Sequence, residues 1–257
     1  MAEVLKGNEN AFLSKVISSL DDYSQKIPKD ILSCDKNDIK MLADREINTI
    51  VSTILSLTSN HSVLSEEGNP IKVTNSPTWI IDPLDGSYNL SRNIPIYCTS
   101  IALLKDYVPC LGLIYDLPNR KHYLSTDIRN SRYLGSDLSV SSEIRIENSV
   151  IASGFPLEVN FSPSQGNHFL NALRSFKKVR MFGSAAMSLL AVAKGNIDAY
   201  YEKDIYIWDI AAGCHLVERS GGRIDIKIDW NTYKCEVFAS NGTIENIFFD
   251  NYDTWRI

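Results

Sequence analysis

Thr78 to Leu90 reads TWIIDPLDGSYNL, and its first part has the character of a buried strand. Trp79, Ile80 and Ile81 form a short continuous apolar run. The run stops at Asp82-Pro83-Leu84-Asp85-Gly86-Ser87, so two carboxylates three residues apart emerge where the strand ends. Pro83 stiffens the turn, and Gly86 lets the backbone come close to a ligand. Hard cations such as Mg²⁺ take several oxygen ligands, carboxylates and backbone carbonyls among them. Asp82, Asp85 and the Leu84 carbonyl supply both kinds from one turn, and the amides of Gly86 and Ser87 can then face an anion. Asp, Pro and Gly also build ordinary turns, so the segment alone reads as one of those too.

Two further acidic places lie outward from this stretch. Ser65-Glu66-Glu67-Gly68 follows the apolar run His61 to Leu64, where paired glutamates fit a solvated loop as well as a ligand position. Trp208-Asp209 opens an apolar helix through Ile210, Ala211 and Ala212, where the Asp also serves as an N-terminal cap or dipole partner. Each signal is weak by itself; their combination carries the information.

Around these places the pattern changes along the chain. A helix is expected from about Glu3 to Gln25 and another through Ala43, Ile47, Ile50, Val51, Ile54 and Leu55, with a polar loop from Pro28 to Lys40 between them. Short strand-like runs follow at 61–65, 78–81, 98–104, 111–115 and 121–125, with turns at Asp106-Tyr107 and Pro118-Asn119. The second half alternates: strands at 150–152, 178–181 and 197–201 precede helices near 167–176, 184–194 and 207–219, and strands near 223–228 and 236–239 close the chain. This order suggests α+β layers of sheet and helix. No linker-like composition divides the halves, so one domain over 1–257 is expected, or two closely packed lobes of about 1–145 and 146–257.

The bulk numbers exclude several classes. The 257 residues are 44% hydrophobic and 22% charged, which suits a globular chain with a real core. With 26 basic and 31 acidic residues the net charge is −5 and no basic run occurs, which argues against nucleic-acid binding. A bound divalent cation would reconcile this acidity with an anionic ligand, because it inverts the local charge. The five cysteines are widely spaced with no C-x-x-C pair, so they read as reduced thiols rather than disulfides or a zinc site. No stretch approaches the ~20 apolar residues of a membrane span, and the N-terminus lacks a signal-length apolar run. A cytoplasmic protein without membrane contact is expected.

At this point the sequence resembles the inositol monophosphatase family, part of the lithium-sensitive, magnesium-dependent phosphatases. Trp79 to Asn89 matches W-[IV]-[IV]-D-P-[IL]-D-G-[ST]-x-N at every specified position. Trp208 to Gly213 matches W-D-x-A-A-G and is followed by Gly221-Gly222. Gly183 to Ala186 (GSAA) and Asp198 to Glu202 (DAYYE) resemble the inositol-phosphatase branch. The likeness runs from about residue 36 to 240.

The resemblance implies a layered αβαβα sandwich, with mixed sheets and helices between and outside them. It implies metal ligation by Glu66, Asp82, the Leu84 carbonyl, Asp85 and Asp209, with Asp44 near a further, weaker metal: two to three Mg²⁺ per subunit. Glu67 is then a supporting acid. Gly86 and Ser87 cradle phosphate, while Gly183, Ala185 and Glu202 contact the alcohol part of the substrate. Catalysis falls to Glu66, Asp85 and Ser87, through in-line attack of a metal-activated water on a small polyol phosphate such as myo-inositol monophosphate. Relatives on the same metal core hydrolyse 3′-phosphoadenosine 5′-phosphate, fructose 1,6-bisphosphate or histidinol phosphate. A homodimer is implied as well. This chain departs from the family pattern at Met41, where Thr is usual, at Ser65, where Gly is usual, and at Ser87, where Thr is commoner but the hydroxyl survives. None of the four histidines is assigned to catalysis.

Overall fold

The computed structural model describes residues 9–34, 39–69, 71–127, 138–155 and 162–254. In chain order the elements are α1 (Glu9–Ser24), β1 (Ile31–Cys34), β2 (Ile39–Met41), α2 (Leu42–Thr58), β3 (Ser62–Ser65), β4 (Thr78–Asp85), α3 (Ser87–Ser91), β5 (Cys98–Lys105), β6 (Val108–Asp116) and β7 (Lys121–Thr126). The second half contributes β8 (Val150–Ser153), α4 (Pro163–Arg174), β9 (Lys178–Arg180), α5 (Ala185–Ala193), β10 (Ala199–Tyr206), α6 (Ile207–Arg219), β11 (Arg223–Asp229), β12 (Lys234–Ser240) and β13 (Asp253–Thr254).

The strands form two large mixed sheets. The first runs β3-β4-β5-β6-β7, and the second β13-β11-β12-β10-β8-β9. In the first only β3 and β4 are parallel; in the second β10, β8 and β9 are. Both faces of both sheets are covered. In β4, Trp79 and Ile81 join α1 and α2 in one core, while Ile80 faces the other way into a core shared with α5, α6 and the second sheet. In β10, Tyr200 faces that middle core, while Ala199 and Tyr201 pack outward against α4. The period-2 alternation of side chains along a strand thus sorts residues into separate layers. The order is helix, sheet, helix pair, sheet, helix: the αβαβα sandwich that the resemblance implied.

Several expected boundaries move. The polar stretch before α2 contains the small antiparallel pair β1–β2 rather than a loop alone, although residues 35–38 lie outside the described part. A strand read from exposed, mixed residues such as Leu32 and Ser33 gives no alternation signal. Residues 1–8, where the first helix was expected to begin, also lie outside it. β4 does not stop before Asp82 but continues to Asp85 with a register irregularity between them. β10 runs on to Tyr206, so Glu202 lies within a strand and not in the connection after it. α4 begins at Pro163, where Ser162 caps the helix by accepting from the Gln165 amide, a start that the apolar pattern did not mark.

The middle layer sits very close to the first sheet. A Cβ built on Gly112 of β6 would lie 2.5 Å from the Ala212 carbonyl oxygen of α6. Backbone on both sides leaves no soft atom to yield. Gly112→Ala is therefore expected to destabilise the protein by about 1–3 kcal/mol, the scale of an overpacked core. Urea unfolding would show a lower midpoint at unchanged slope; an unchanged midpoint would mean the two layers can separate without loss.

A candidate metal and phosphate site

The parallel pairing of β3 and β4 brings the first two acids together. Ser65 pairs with Ile81, and the Glu66 amide donates to the Ile81 carbonyl at 3.1 Å, so Glu66 and Asp82 leave their strands side by side. The third comes from α6, whose start is tied to the sheet where Ser100 Oγ, opposite Asp82 on β5, donates to the Trp208 carbonyl at 3.2 Å. Carboxylate oxygens of Glu66, Asp82 and Asp209 all lie within 4.8 Å of one another. Glu66 is exposed, Asp82 buried and Asp209 half-buried.

Asp85 is not in that trio. Its Oδ2 accepts from Ser184 Oγ and from the Ala186 amide, both at 2.6 Å, at the N-terminus of α5. The turn that carries it is held by Thr99 Oγ1, which donates to the Pro83 carbonyl at 2.8 Å, and by the Leu84 amide, which donates to Asp82 Oδ1 at 2.9 Å. Gly86 follows at φ +91°, and a Cβ there would lie 2.7 Å from the Ile96 carbonyl oxygen, so glycine alone suits this corner. Ser87 then opens the short helix α3.

The charges are crowded. Burial pushes the Asp82 carboxyl well above the usual range, and the charges of Glu66, Asp85 and Asp209 push it further. Burial raises Asp209 strongly too, with Glu66 and Asp85 adding to it, while bonds from Asp82 and the Tyr206 amide oppose the rise. Asp85 is raised to about 6 by burial, against the pull of Ser184 and the α5 amides. Among the described residues no Lys or Arg forms an ion pair with Asp82, Asp85 or Asp209. A cluster of oxygen donors without His or Cys, crowding like charges together, fits a hard divalent cation.

The remaining expected residues distribute around this cluster. Glu67 is paired with Lys40 at 2.7 Å. Asp44 is buried at the start of α2, where its Oδ2 accepts from the Met41 amide at 2.6 Å. The Met41 side chain is turned into the core. Gly183, at φ +69°, precedes Ser184 and packs beside Asn89, whose Nδ2 donates to the Phe182 carbonyl at 2.7 Å. Ala185 is buried at the first turn of α5. Glu202 lies close enough to feel the charge of Asp85; burial raises it to about 7, while Tyr200 and the Gly154 amide pull it back. Among the described residues Glu202 forms no ion pair with Lys203 or Arg219; its Oε2 accepts from the Tyr200 hydroxyl at 2.6 Å. His215, on α6, is buried between Ser125 Oγ at 2.6 Å and Asp127 Oδ1 at 3.1 Å.

Sequence reasoning missed three residues here: Ser184, Tyr200 and Gly154. Ser184 had a signal, since a Ser before an apolar helix is a cap candidate. Tyr200 had one too, because residues two apart on a strand share a face.

A profile of the inositol monophosphatase family matches residues 1–243, and the chain belongs to that family of phosphatases. It is 29% identical over 214 residues to the inositol-1-monophosphatase of Synechocystis, covering 80% of this chain and 74% of the relative. It is 33% identical over 220 residues to Nus factor SuhB of Xylella fastidiosa, covering 80% and 76%. Its structure is similar to that of an inositol monophosphatase from Anabaena, with TM-score 0.74 and 27% identity over 92% of this chain and 93% of that one. No described helix is long and apolar enough to cross a membrane.

The carboxyl shifts predict how the metal-free protein responds to pH. Asp82, Asp209, Asp85 and Glu202 all bind protons more tightly folded than unfolded. Their contribution to stability is therefore present at low pH and is lost as pH rises through the folded values, about 6 for Asp85 and about 7 for Glu202. The metal-free Tm is expected to fall between pH 5.5 and pH 8, and Asp85→Asn to flatten that fall. Added Mg²⁺ should raise Tm more at pH 8 than at pH 5.5, because protons compete for the same oxygens. A metal-free Tm that climbs over this interval contradicts the crowding.

Proposed function

We propose that this protein is a magnesium-dependent phosphomonoesterase acting on a small polyol phosphate such as myo-inositol monophosphate. The observation that carries this reading is the meeting of Glu66, Asp82 and Asp209 oxygens within 4.8 Å, with Asp85 beside them and Glu202 in electrostatic reach of Asp85. Glu66, Asp82, Asp85, Asp209 and the Leu84 carbonyl would hold two Mg²⁺ ions, with Asp44 toward a third. When bound, such ions neutralise phosphoryl charge and make water acidic enough to attack at neutral pH.

The chain's own groups do the rest. Glu66, exposed at the mouth of the cluster, accepts the proton of the attacking water, and the Ser87 hydroxyl orients that water. The amides of Gly86 and Ser87 stabilise the phosphoryl oxygens. Gly183 and Ala185 leave room at the start of α5 for the alcohol, and Glu202 accepts hydrogen bonds from its hydroxyls. One unit over 1–257 is part of this reading, and the packing of the middle helices against both sheets supports it. A cytoplasmic homodimer with lithium sensitivity completes the proposal.

The same metal core suits bisphosphonucleotides, fructose 1,6-bisphosphate or histidinol phosphate. Glu202 favours the polyol, and phosphate release across those substrates would rank them. The Xylella relative carries the name of a Nus factor. We propose no nucleic-acid partner for this chain, since its net charge is −5 with no basic run; a mobility shift with RNA would overturn that.

EDTA is expected to abolish phosphate release and Mg²⁺ to restore it; full turnover in a metal-free sample would remove the metal from the mechanism. Asp209→Asn should lower kcat on the order of 10³-fold, the scale of losing a charge-stabilising group, with the fold retained by circular dichroism. Glu202→Ala should lower kcat/KM for inositol phosphate about 10- to 150-fold while sparing a small aryl phosphate, the value of a hydrogen bond to a charged group. An unchanged ratio between the two substrates means that Glu202 does not read the alcohol.

A further inference from the structure

The Glu202 carboxylate is held from two directions. Tyr200 precedes it by two residues on β10, so both side chains leave the strand on the same face. The Tyr200 ring is fully buried in the middle core, and its hydroxyl donates to Glu202 Oε2 at 2.6 Å. On the other side, β8 runs parallel to β10 with Ser153 paired to Tyr201, which brings Gly154 beside Glu202. A Cβ built on Gly154 would lie 2.0 Å from Glu202 Oε1 and 2.1 Å from its carboxyl carbon. Any side chain at Gly154 would thus stand where the carboxylate now is. The atoms that would have to yield are the end of a flexible side chain, not backbone, so such a change displaces Glu202 before it disturbs the fold.

A glutamate free to rotate would offer a substrate hydroxyl an acceptor in many positions, at an entropic cost on binding. A glutamate bonded by a core phenol and fitted against a bare backbone offers it in one. We propose that Tyr200 and Gly154 are positioning residues for substrate selectivity: Tyr200 orients the Glu202 carboxylate by donating to it, and Gly154 supplies the space in which it sits. This rests on the reading of Glu202 as the acceptor for the substrate's alcohol. Neither residue need touch substrate, and both act through Glu202. Their effect therefore falls on substrates that carry hydroxyls beside the phosphate and not on those that lack them.

The test uses the Mg²⁺-loaded enzyme and two substrates, myo-inositol 1-phosphate and a small aryl phosphate. Tyr200→Phe removes the donor and keeps the ring; Gly154→Ala fills the space. Each is expected to raise KM for the inositol phosphate roughly 10-fold, near the low end for a hydrogen bond to a charged group, with kcat nearly unchanged. The aryl phosphate should stay within about 2-fold of wild type, since it makes no bond to Glu202. In a Glu202→Ala background neither change should cost anything more, because the group they position is gone. Equal losses for both substrates, or effects that add in full to Glu202→Ala, would overturn the proposal and make the two residues structural. If Glu202→Ala itself leaves the substrate ratio unchanged, the reading of Glu202 fails first, and that single variant reveals it separately.

Discussion

Glu66, Asp82, Asp85 and Asp209 repel one another across a small volume, and the rest of the structure depends on holding them there. Burial and mutual repulsion both raise the carboxyls of Asp82 and Asp209, so their proximity opposes folding above neutral pH. Local interactions would not keep such a group together. The restraint comes from elements that are stable for other reasons: a parallel strand pair beneath Glu66 and Asp82, a turn pinned by Thr99, and the first turn of α6, where Asp209 accepts from the Tyr206 amide at 3.0 Å. Doubly covered sheets give these elements their rigidity, because both faces of each strand are fixed by packing.

Asp85 has two tasks in this arrangement. One oxygen takes the Ser184 hydroxyl and the Ala186 amide, which satisfies part of the α5 N-terminus and places a negative charge at the positive end of that helix. Those donors oppose the rise that burial causes and leave its carboxyl at about 6. The bond also fixes α5, in the middle layer, to the first sheet. Gly183 and Ala185 flank the Ser184 donor, so the edge of the site proposed to face the alcohol is built on the same contact that steadies the edge proposed to face the metal.

Much of the fold was legible because both sheets read as apolar runs and their helices as apolar stripes. Trp79-Ile80-Ile81 signals a strand buried on both faces, and Ile210-Ala211-Ala212 a helix buried all round. The β1–β2 pair was not legible, since exposed strands carry no alternation. The acids that meet were visible as residue types at strand and helix ends, but not their spacing in space. That spacing depends on the parallel register of β3 and β4 and on the anchoring of α6 to β5, which are long-range pairings. The contacts of Ser184 and Gly154 escaped for the same reason, since long-range packing brings them to Asp85 and Glu202, whereas Tyr200 escaped because the expected strand stopped at Tyr201, one residue short of Glu202.

β10 shows how one strand can serve a core and a site together. Its outer face is clamped by Tyr201, which stacks on Phe248 at 4.0 Å and 10° and donates its hydroxyl to Glu236 at 2.9 Å. Its inner face presents Tyr200 and Glu202. A regular strand continued to Tyr206 would keep that alternation to its end. Instead the pairing with β12 slips between Lys203 and Ile205, and Asp204 takes a left-handed φ of 58°. Such a bulge shifts the phase of the residues after it and bends the strand. The chain then enters α6 directly at Ile207, with Asp209 in the first turn. Glu202 on the strand and Asp209 on the helix, seven positions apart, thus lie on either side of this bulge, so the direction in which the chain leaves Glu202 is reset before it enters α6.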